Sequence, residues 1–292
     1  MRIIMETKTV CFYHAIDLDG WMSAAIVKLA IPGATLCGWN YGQDIPNIDP
    51  DDVGRLVLVD ICFPPHVMHN INQLFDVVWI DHHISAIRDI AEHTPESFKG
   101  KQAVDKAACE LTWEYFFPEQ EMPELVRLLG RYDCFGHKGT HEERRVMEFQ
   151  YGARQIITSA ESALISLRIA SESKRFDDVI CSDILQNGVA IYNYLLADAQ
   201  NIYKRIFPIS IDGYKFACVN QDRFNPASFG IDYHADGYDG FACFWCNGKH
   251  YNYSLYNDNG KVDCSELAKA RGGGGHRGAS GFRTNEIIKQ NE

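Results

Sequence analysis

The chain has 292 residues, 46% of them hydrophobic, and a formal net charge of −11 at pH 7. That length exceeds one ordinary core and fits two domains, each with enough apolar residues to bury. The acidic balance argues against a protein that tracks a long duplex, since such affinity comes from Lys and Arg neutralising many phosphates; a short anionic substrate held by a few local cations stays compatible.

Residues 9–13 form the first short, continuously apolar run rich in β-branched and aromatic side chains, the pattern of a strand buried on both faces of a parallel sheet. It leads into His14-Ala15-Ile16-Asp17-Leu18-Asp19-Gly20. From Trp21 to Ala30 the residues Met22, Ala25, Ile26 and Leu29 recur at helical spacing, and Pro32-Gly33 closes the helix. A strand over 34–39 follows, so the chain opens as a βαβ unit with a right-handed parallel crossover. Residues 56–59 and 77–80 repeat the strand signal and end at Asp60 and at Asp81-His82-His83. Pro64-Pro65 opens a short helix and 84–92 forms another. Helical pattern dominates from 107 to about 200, including 111–117, 124–131 and 184–196. From Ile209 onward, segments 215–219, 240–245 and 251–256 alternate and are rich in aromatics, as strands of a smaller sheet would be. A helix over 264–270 runs into Arg271 and a glycine run.

Three of the acidic or acid-plus-histidine clusters stand at strand ends, and in open α/β sheets such groups collect in the crevice beyond the carboxyl ends of the strands. His14, Asp17 and Asp19 put potential ligands on one turn, where Gly20 is expected to permit an unusual backbone angle. Taken alone, this segment reads equally as a turn with a capping Asp, and a calcium loop is excluded because no suitably spaced Glu closes it. Asp60 follows Leu-Val-Leu-Val, where a carboxylate is costly to desolvate without a cation or hydrogen bonds; the plain alternative is an exposed helix N-cap. Adjacent His82 and His83 cannot easily face one ion, so one is expected to ligate and the other to face substrate, with Asp81 orienting an imidazole. Asp133 in Arg131-Tyr132-Asp133-Cys134 is by itself an ordinary helix-end residue. Asp17, Asp19, Asp60 and Asp133 gathered in one crevice would raise one another's pKa values, whereas a pair of dications would cancel their charge. Such a pair, roughly 3.5–4 Å apart, would clamp the attacking and leaving oxygens of an in-line displacement. In Gly272-Gly273-Gly274-Gly275-His276-Arg277, open backbone N–H groups beside a donor and a fixed cation suit a terminal phosphate; a flexible loop is the plain alternative.

Together these motifs, in this order, resemble the DHH phosphoesterase superfamily, with a DHH domain followed by a DHHA1 domain, and within it the nanoRNase or oligoribonuclease-like members. The resemblance rests on the N-terminal motif, the lone Asp60, Asp81-His82-His83, Asp133 and Gly272 to Gly281, and covers nearly the whole chain. It implies an α/β fold: a parallel-sheet DHH domain with flanking helices over 1–190, a helical linker over 191–208 and a smaller α/β DHHA1 domain with a mixed sheet over 209–292. It implies that His14, Asp17 and Asp60 hold one Mn²⁺, and that Asp19, Asp60, His82 and Asp133 hold a second, with Asp60 bridging and Mg²⁺ or Co²⁺ as substitutes. His83, aided by Asp81, would act on the scissile phosphate. Gly273, Gly274, Gly275, His276, Arg277 and Tyr256 would bind substrate from the DHHA1 side. Many relatives carry an arginine where Tyr256-Asn257 stands, so a phosphate contact is either lost or replaced by a tyrosine hydroxyl. Ser280 stands where alanine is commoner.

The implied activity is a manganese-dependent phosphodiesterase that converts short oligoribonucleotides, including linear dinucleotides such as pGpG or pApA, to nucleoside monophosphates. Alternatives are a 3′-phosphoadenosine 5′-phosphate phosphatase, a cyclic-nucleotide phosphodiesterase and, outside catalysis, a nucleotide-sensing protein. Ten scattered cysteines and no apolar run of membrane-spanning length lead to the expectation of a reduced, cytoplasmic protein that engages no membrane. A homodimer is left open. Cys243-x-x-Cys246 lacks a second pair for zinc and reads as structural. The pairs His66/His69 and His137/His141 read as surface histidines, and Phe224, Tyr251, Tyr253 and Tyr256 as core more than as base-stacking platforms.

Overall fold

In the computed structural model, which describes residues 8–95 and 97–289, the chain divides into two units, Met1–Tyr192 and Asn193–Glu292. The first contains β1 (Lys8–His14), α1 (Leu18–Ala30), β2 (Thr35–Trp39), β3 (Val53–Val59), α2 (Pro65–Leu74), β4 (Asp76–Asp81), α3 (Ile84–His93), β5 (Lys99–Gln102), α4 (Ala108–Phe116), α5 (Glu124–Asp133), α6 (Glu143–Ile156) and α7 (Ala160–Glu172). Helix α8 (Lys174–Tyr203) continues past the division. The second unit adds β6 (Phe207–Ile211), β7 (Tyr214–Asn220), β8 (Gly240–Cys246), β9 (Tyr251–Tyr256), α9 (Cys264–Lys269), β10 (Gly274–His276) and β11 (Ala279–Thr284).

The first unit is built on a five-stranded sheet of order β2-β1-β3-β4-β5, parallel throughout. Its central strands read as unbroken apolar runs because both faces are covered. Leu56, Leu58, Val77 and Trp79 point to the side that packs on Met68, Ile71 and Ile90, whereas Val57, Val59, Val78 and Ile80 face Val27 and Leu111. A separate helical core gathers Met22 and Ile26 with Leu125, Leu129, Phe149, Leu167 and Ile184. Strand β5, with the sequence Lys-Gly-Lys-Gln, is the polar edge that no hydrophobic pattern announces.

The second unit carries a six-stranded sheet, β10-β11-β9-β8-β7-β6, antiparallel except for the β7–β8 pair. Cys264 and Leu267 of helix α9, with Val262 just before it, cover one face, while Phe224, Ile231 and Tyr233 fill the other. Phe224 and Tyr253 are thus core residues, and Tyr251 and Tyr256 are half-buried. The ten cysteines are all free thiols.

Two glycines act by absence of a side chain. Helix α1 begins at Leu18, earlier than the periodicity predicts, with Asp17 as N-cap, so Gly20 lies in its first turn. A Cβ there would stand 1.9 Å from the carbonyl oxygen of His14; close approach, and not an unusual backbone angle, is what requires glycine. Gly188 of α8 meets α6 in the same way, where a Cβ would lie 1.7 Å from the carbonyl oxygen of Glu148. Gly188→Ala must therefore push α8 off α6, and a loss of about 1–3 kcal/mol is expected for such overpacking; an unchanged unfolding midpoint in urea would show that the helices do not meet at this contact.

Candidate metal centre

Register brings the predicted residues of the first unit together. Tyr13 pairs with Val59 and Val59 with Ile80, so the next residue on each strand, His14, Asp60 and Asp81, stands at the same level at the carboxyl edge of the sheet. The strand order reverses direction between β1 and β3, and a crevice opens at such a switch point. Asp60 has φ +60°, a left-handed conformation that Asp tolerates better than most residues. It ends β3 abruptly while its N–H is still held by Ile80 O at 2.9 Å. Asp17 and Asp19 arrive on the first turn of α1, Asp133 as the last residue of α5.

The side chains converge as a cluster of close histidine–carboxylate contacts. His14 Nδ1 lies 3.1 Å from Asp17 Oδ2 and 3.5 Å from Asp60 Oδ2. His82 Nε2 lies 3.4 Å from Asp60 Oδ1, 3.6 Å from Asp19 Oδ2 and 3.2 Å from Asp133 Oδ2. Close as they are, these approaches lack hydrogen-bond angles at the two key groups: both oxygens of Asp60 and Nδ1 of His14 are buried and have no hydrogen-bond partner. Asp60 is 1% exposed, and leaving such atoms unpaired is costly unless a cation takes them up. The atoms of His14, Asp17 and Asp60 lie within 4.8 Å of one another, as do those of Asp19, His82 and Asp133. Asp60 offers Oδ2 to the first group and Oδ1 to His82 of the second.

A buried carboxylate elsewhere in the unit shows the contrast. Asp177 accepts from the N–H groups of Glu124 and Leu125, at 2.7 and 3.1 Å, and so caps α5; its role is architectural. Asp19 combines both situations. Its oxygens accept from the N–H groups of Ala108 and Cys109 at 2.9 and 2.7 Å, capping α4, where Ala107 supplies no capping side chain. One of those same oxygens still faces His82. No local signal in the sequence announces this long-range cap.

Burial and the neighbouring Asp60 carboxylate push Asp19 up to about 7. Burial and Asp19 push Asp133 up to about 7 as well, and burial raises Asp60 despite His14 and His82 beside it. Burial disfavours the charged imidazoles, but the surrounding carboxylates outweigh it and carry His14 and His82 up to about 10. Two like charges 4 Å apart repel by about 4 kcal/mol at an effective dielectric of 20. Without cations the cluster therefore holds itself together by retaining protons. Oxygen and imidazole donors in this mixture would fit Mn²⁺, Mg²⁺ or Co²⁺, which His14, Asp17 and Asp60 on one side and Asp19, His82 and Asp133 on the other could hold.

His83 falls in a third such group, with Asp60 and His82, but its ring is held from behind by Asp81. Its Nδ1 lies 2.8 Å from Asp81 Oδ1, while the same oxygen accepts from the backbone N–H of His82 and His83. Trp79 Nε1 reaches the other oxygen at 3.3 Å, so Asp81, fully buried, is a fixed anchor for the imidazole. Burial lowers the His83 pKa and Asp81 raises it, with a net rise. His83 remains 3.8 Å from Asp60 Oδ1.

The second unit's predicted residues form a hairpin. The N–H groups of Gly272 and Gly273 donate to Lys269 O and Ala268 O at the end of α9, so these two are spent on the helix terminus and not open to an anion. Gly274 and Gly275 belong to β10, and Gly275 has φ +137° against Ser280. Arg277 is largely exposed, with one Nη2–H donated to Gly260 O at 3.1 Å. His276 lies on β10, and its side chain is outside the described residues. Tyr256 is half-buried on β9, its hydroxyl pushed up to about 12 by burial. Asn257 Nδ2 donates to Asp239 O at 2.7 Å, which makes it a loop anchor, and Ser280 Oγ donates to Cys264 O at 2.5 Å.

His137 departs from expectation. It is 2% exposed, stacks on Tyr132 and holds Arg131 O at 2.8 Å through Nδ1, so it organises the loop after Asp133. None of the candidate metal-ligand groups among the described residues contains a cysteine. Sequence reasoning missed Tyr41, whose ring stands 6.1 Å from that of His14, and Asn40, whose Oδ1 accepts from Ala15 N at 3.1 Å.

No protein-family model matches the chain. An uncharacterised protein of Acanthamoeba polyphaga mimivirus is 24% identical over 304 residues; the match spans 94% of this chain and 66% of that protein's length. Among solved structures, the DHH domain of a member of a ribosomal-protein family superposes with a TM-score of 0.55 at 13% identity, over 94% of this chain and 82% of that one. The fold is that of a DHH-domain protein. A pGpG-specific phosphodiesterase from Vibrio cholerae gives a TM-score of 0.48 at 12% identity, over 96% of this chain and 94% of its own.

A histidine whose folded pKa lies above its ordinary 6.5 stabilises fully below that value and loses this contribution as pH rises toward the folded value, about 10 for His14 and His82. In EDTA the first unit should therefore melt at progressively lower temperature between pH 6.5 and about 8.5, where cysteines begin to titrate. Divalent cations compete with those protons, so Mn²⁺ should flatten or reverse the slope. A melting temperature that climbs with pH in EDTA would contradict the protonated cluster.

Proposed function

We propose that the chain is a DHH-type phosphoesterase: a manganese-dependent phosphodiesterase that hydrolyses short oligoribonucleotides and linear dinucleotides to nucleoside monophosphates. One observation carries this reading, the buried Asp60 carboxylate whose two unpaired oxygens face separate groups of histidine and aspartate donors. When bound there, two dications would lower the pKa of water and neutralise charge on a phosphoryl group. Manganese is favoured by the mixed oxygen and imidazole donors, with Mg²⁺ and Co²⁺ as substitutes.

The chain's own groups supply the rest. Asp81 accepts from Nδ1 of His83 and fixes the ring, which leaves the other nitrogen of a protonated imidazole to donate to a phosphate oxygen. In the second unit Arg277, exposed beside the glycine hairpin, is the proposed cation for a substrate phosphate, with Gly274, Gly275 and His276 around it. The net charge of −11 offers no track for a long polyanion, which favours substrates of few nucleotides. Because every ligand position of both donor groups is filled by a competent side chain, turnover is favoured over nucleotide sensing.

Hydrolysis of dinucleotides, longer single-stranded RNA, cyclic nucleotides and 3′-phosphoadenosine 5′-phosphate with Mn²⁺ tests the proposal directly; best turnover on dinucleotides is expected, and no turnover on any phosphodiester refutes it. Asp60→Asn should abolish Mn²⁺ binding measured by calorimetry. His83→Ala should keep metal affinity while kcat falls by about 10²–10⁴, the usual range for losing a positioned proton donor. For Arg277→Ala a KM increase of about tenfold is expected, the loss of one charge-assisted hydrogen bond; unchanged kinetics would remove Arg277 from the substrate.

A further inference from the structure

Beside the metal centre, the first unit contains a cleft of about 600 Å³ that the proposed chemistry does not use. Trp39, Tyr41, Phe63 and Pro64 form one wall, and Ser85 and Ala86 of α3 the other. Its position is tied to the site at several points. The Tyr41 ring is 6.1 Å from the His14 ring, and Ser85 is the second residue after His83. Cys62, the second residue after Asp60, donates its N–H to the Tyr41 hydroxyl at 3.4 Å, which holds the ring in place. Behind it, Trp39 packs edge-on against both Tyr41 at 5.7 Å and Phe63 at 5.0 Å, so the wall is a cluster of interlocked aromatic rings.

The lining defines the occupant. Its residues include no Lys or Arg, which disfavours a second phosphate there, and its one carboxylate, Asp89, is paired with His93 at 3.0 Å. The surface is mostly aromatic and apolar, and Tyr41, 53% exposed, leaves a ring face open to a ligand. A volume in this range suits a small-molecule fragment with a few polar edges. A group that is flat, uncharged, partly apolar and joined covalently to a phosphate satisfies both neighbours.

Resting on the phosphodiesterase reading, we infer that this cleft binds the heteroaromatic base of the nucleotide whose phosphate lies at the metal centre, with Tyr41 as its stacking face. Base stacking on an aromatic tolerates all bases and contributes about 1–3 kcal/mol per base. The cleft thus ranks substrates by the presence of a base and not by its identity.

The test uses the full chain with ¹⁵N-labelled tryptophan and Mg²⁺, which unlike Mn²⁺ does not broaden the resonances. The indole N–H of Trp39, which donates to Asp44 O at 3.1 Å, should shift when a nucleoside 5′-monophosphate is added and not with ribose 5-phosphate; Trp39→Phe assigns the signal. No shift, or the same shift with both ligands, overturns the inference. In kinetics, Ala86→Trp, which fills the cleft, and Tyr41→Ala should each raise KM for a dinucleotide about tenfold or more while hydrolysis of the matching abasic sugar phosphodiester stays within about twofold, an effect below the range for a lost stacking contact. Equal losses on both substrates would assign these residues to the fold instead. If the native protein hydrolyses neither substrate, the phosphodiesterase reading fails, and the Trp39 shift decides the cleft separately.

Discussion

A carboxylate buried to 1% exposure with neither oxygen hydrogen-bonded is the constraint around which the first unit is organised. Asp60 holds a left-handed backbone conformation, sits at the reversal point of a parallel sheet and faces imidazoles from two other strands. The backbone strain and the burial of an unbonded carboxylate both cost folding free energy, and the burial cost is offset only when positive charge sits beside the oxygens. In the absence of cations, protons on His14, His82, Asp19 and Asp133 meet that requirement in part.

The supporting structure distinguishes atoms that must stay fixed from atoms that must stay available. Asp81 is fully committed, receiving two backbone N–H groups, an indole and the ring of His83, and so it positions without reacting. Asp177 is likewise committed as a helix cap. Asp19 spends its oxygens on the start of α4 and thereby locks the first turn of α1, with Asp17, against that helix. Gly20 lets that turn approach His14 closely enough for the donors to meet.

Much of the first unit was legible because its physics is local. Apolar runs ending in Asp60 and Asp81 announce buried parallel strands and their reactive ends, and the helical spacing from Met22 to Leu29 matches α1. What was not legible depends on long-range partners. The Asp19 cap on α4, the burial of His137 and the closeness of Gly188 to α6 arise only when distant segments pack. The polar strands β5 and β10 escaped because lysine- and glycine-rich strands carry no period-two pattern. The glycine run looked like four free amides, yet two serve the end of α9, a competition between helix capping and anion binding that spacing cannot decide. Tyr41 escaped notice since a lone aromatic after a strand has no signature of its own.

The central claim is that Asp60 joins two cation sites. Anomalous diffraction at the manganese edge, from crystals of the full chain grown with Mn²⁺, measures it most directly. The account predicts two peaks about 3.5–4 Å apart, one beside His14 and Asp17, the other beside Asp19, His82 and Asp133, with one Asp60 oxygen on each. A metal-saturated crystal with no peak within coordinating distance of Asp60 would contradict it.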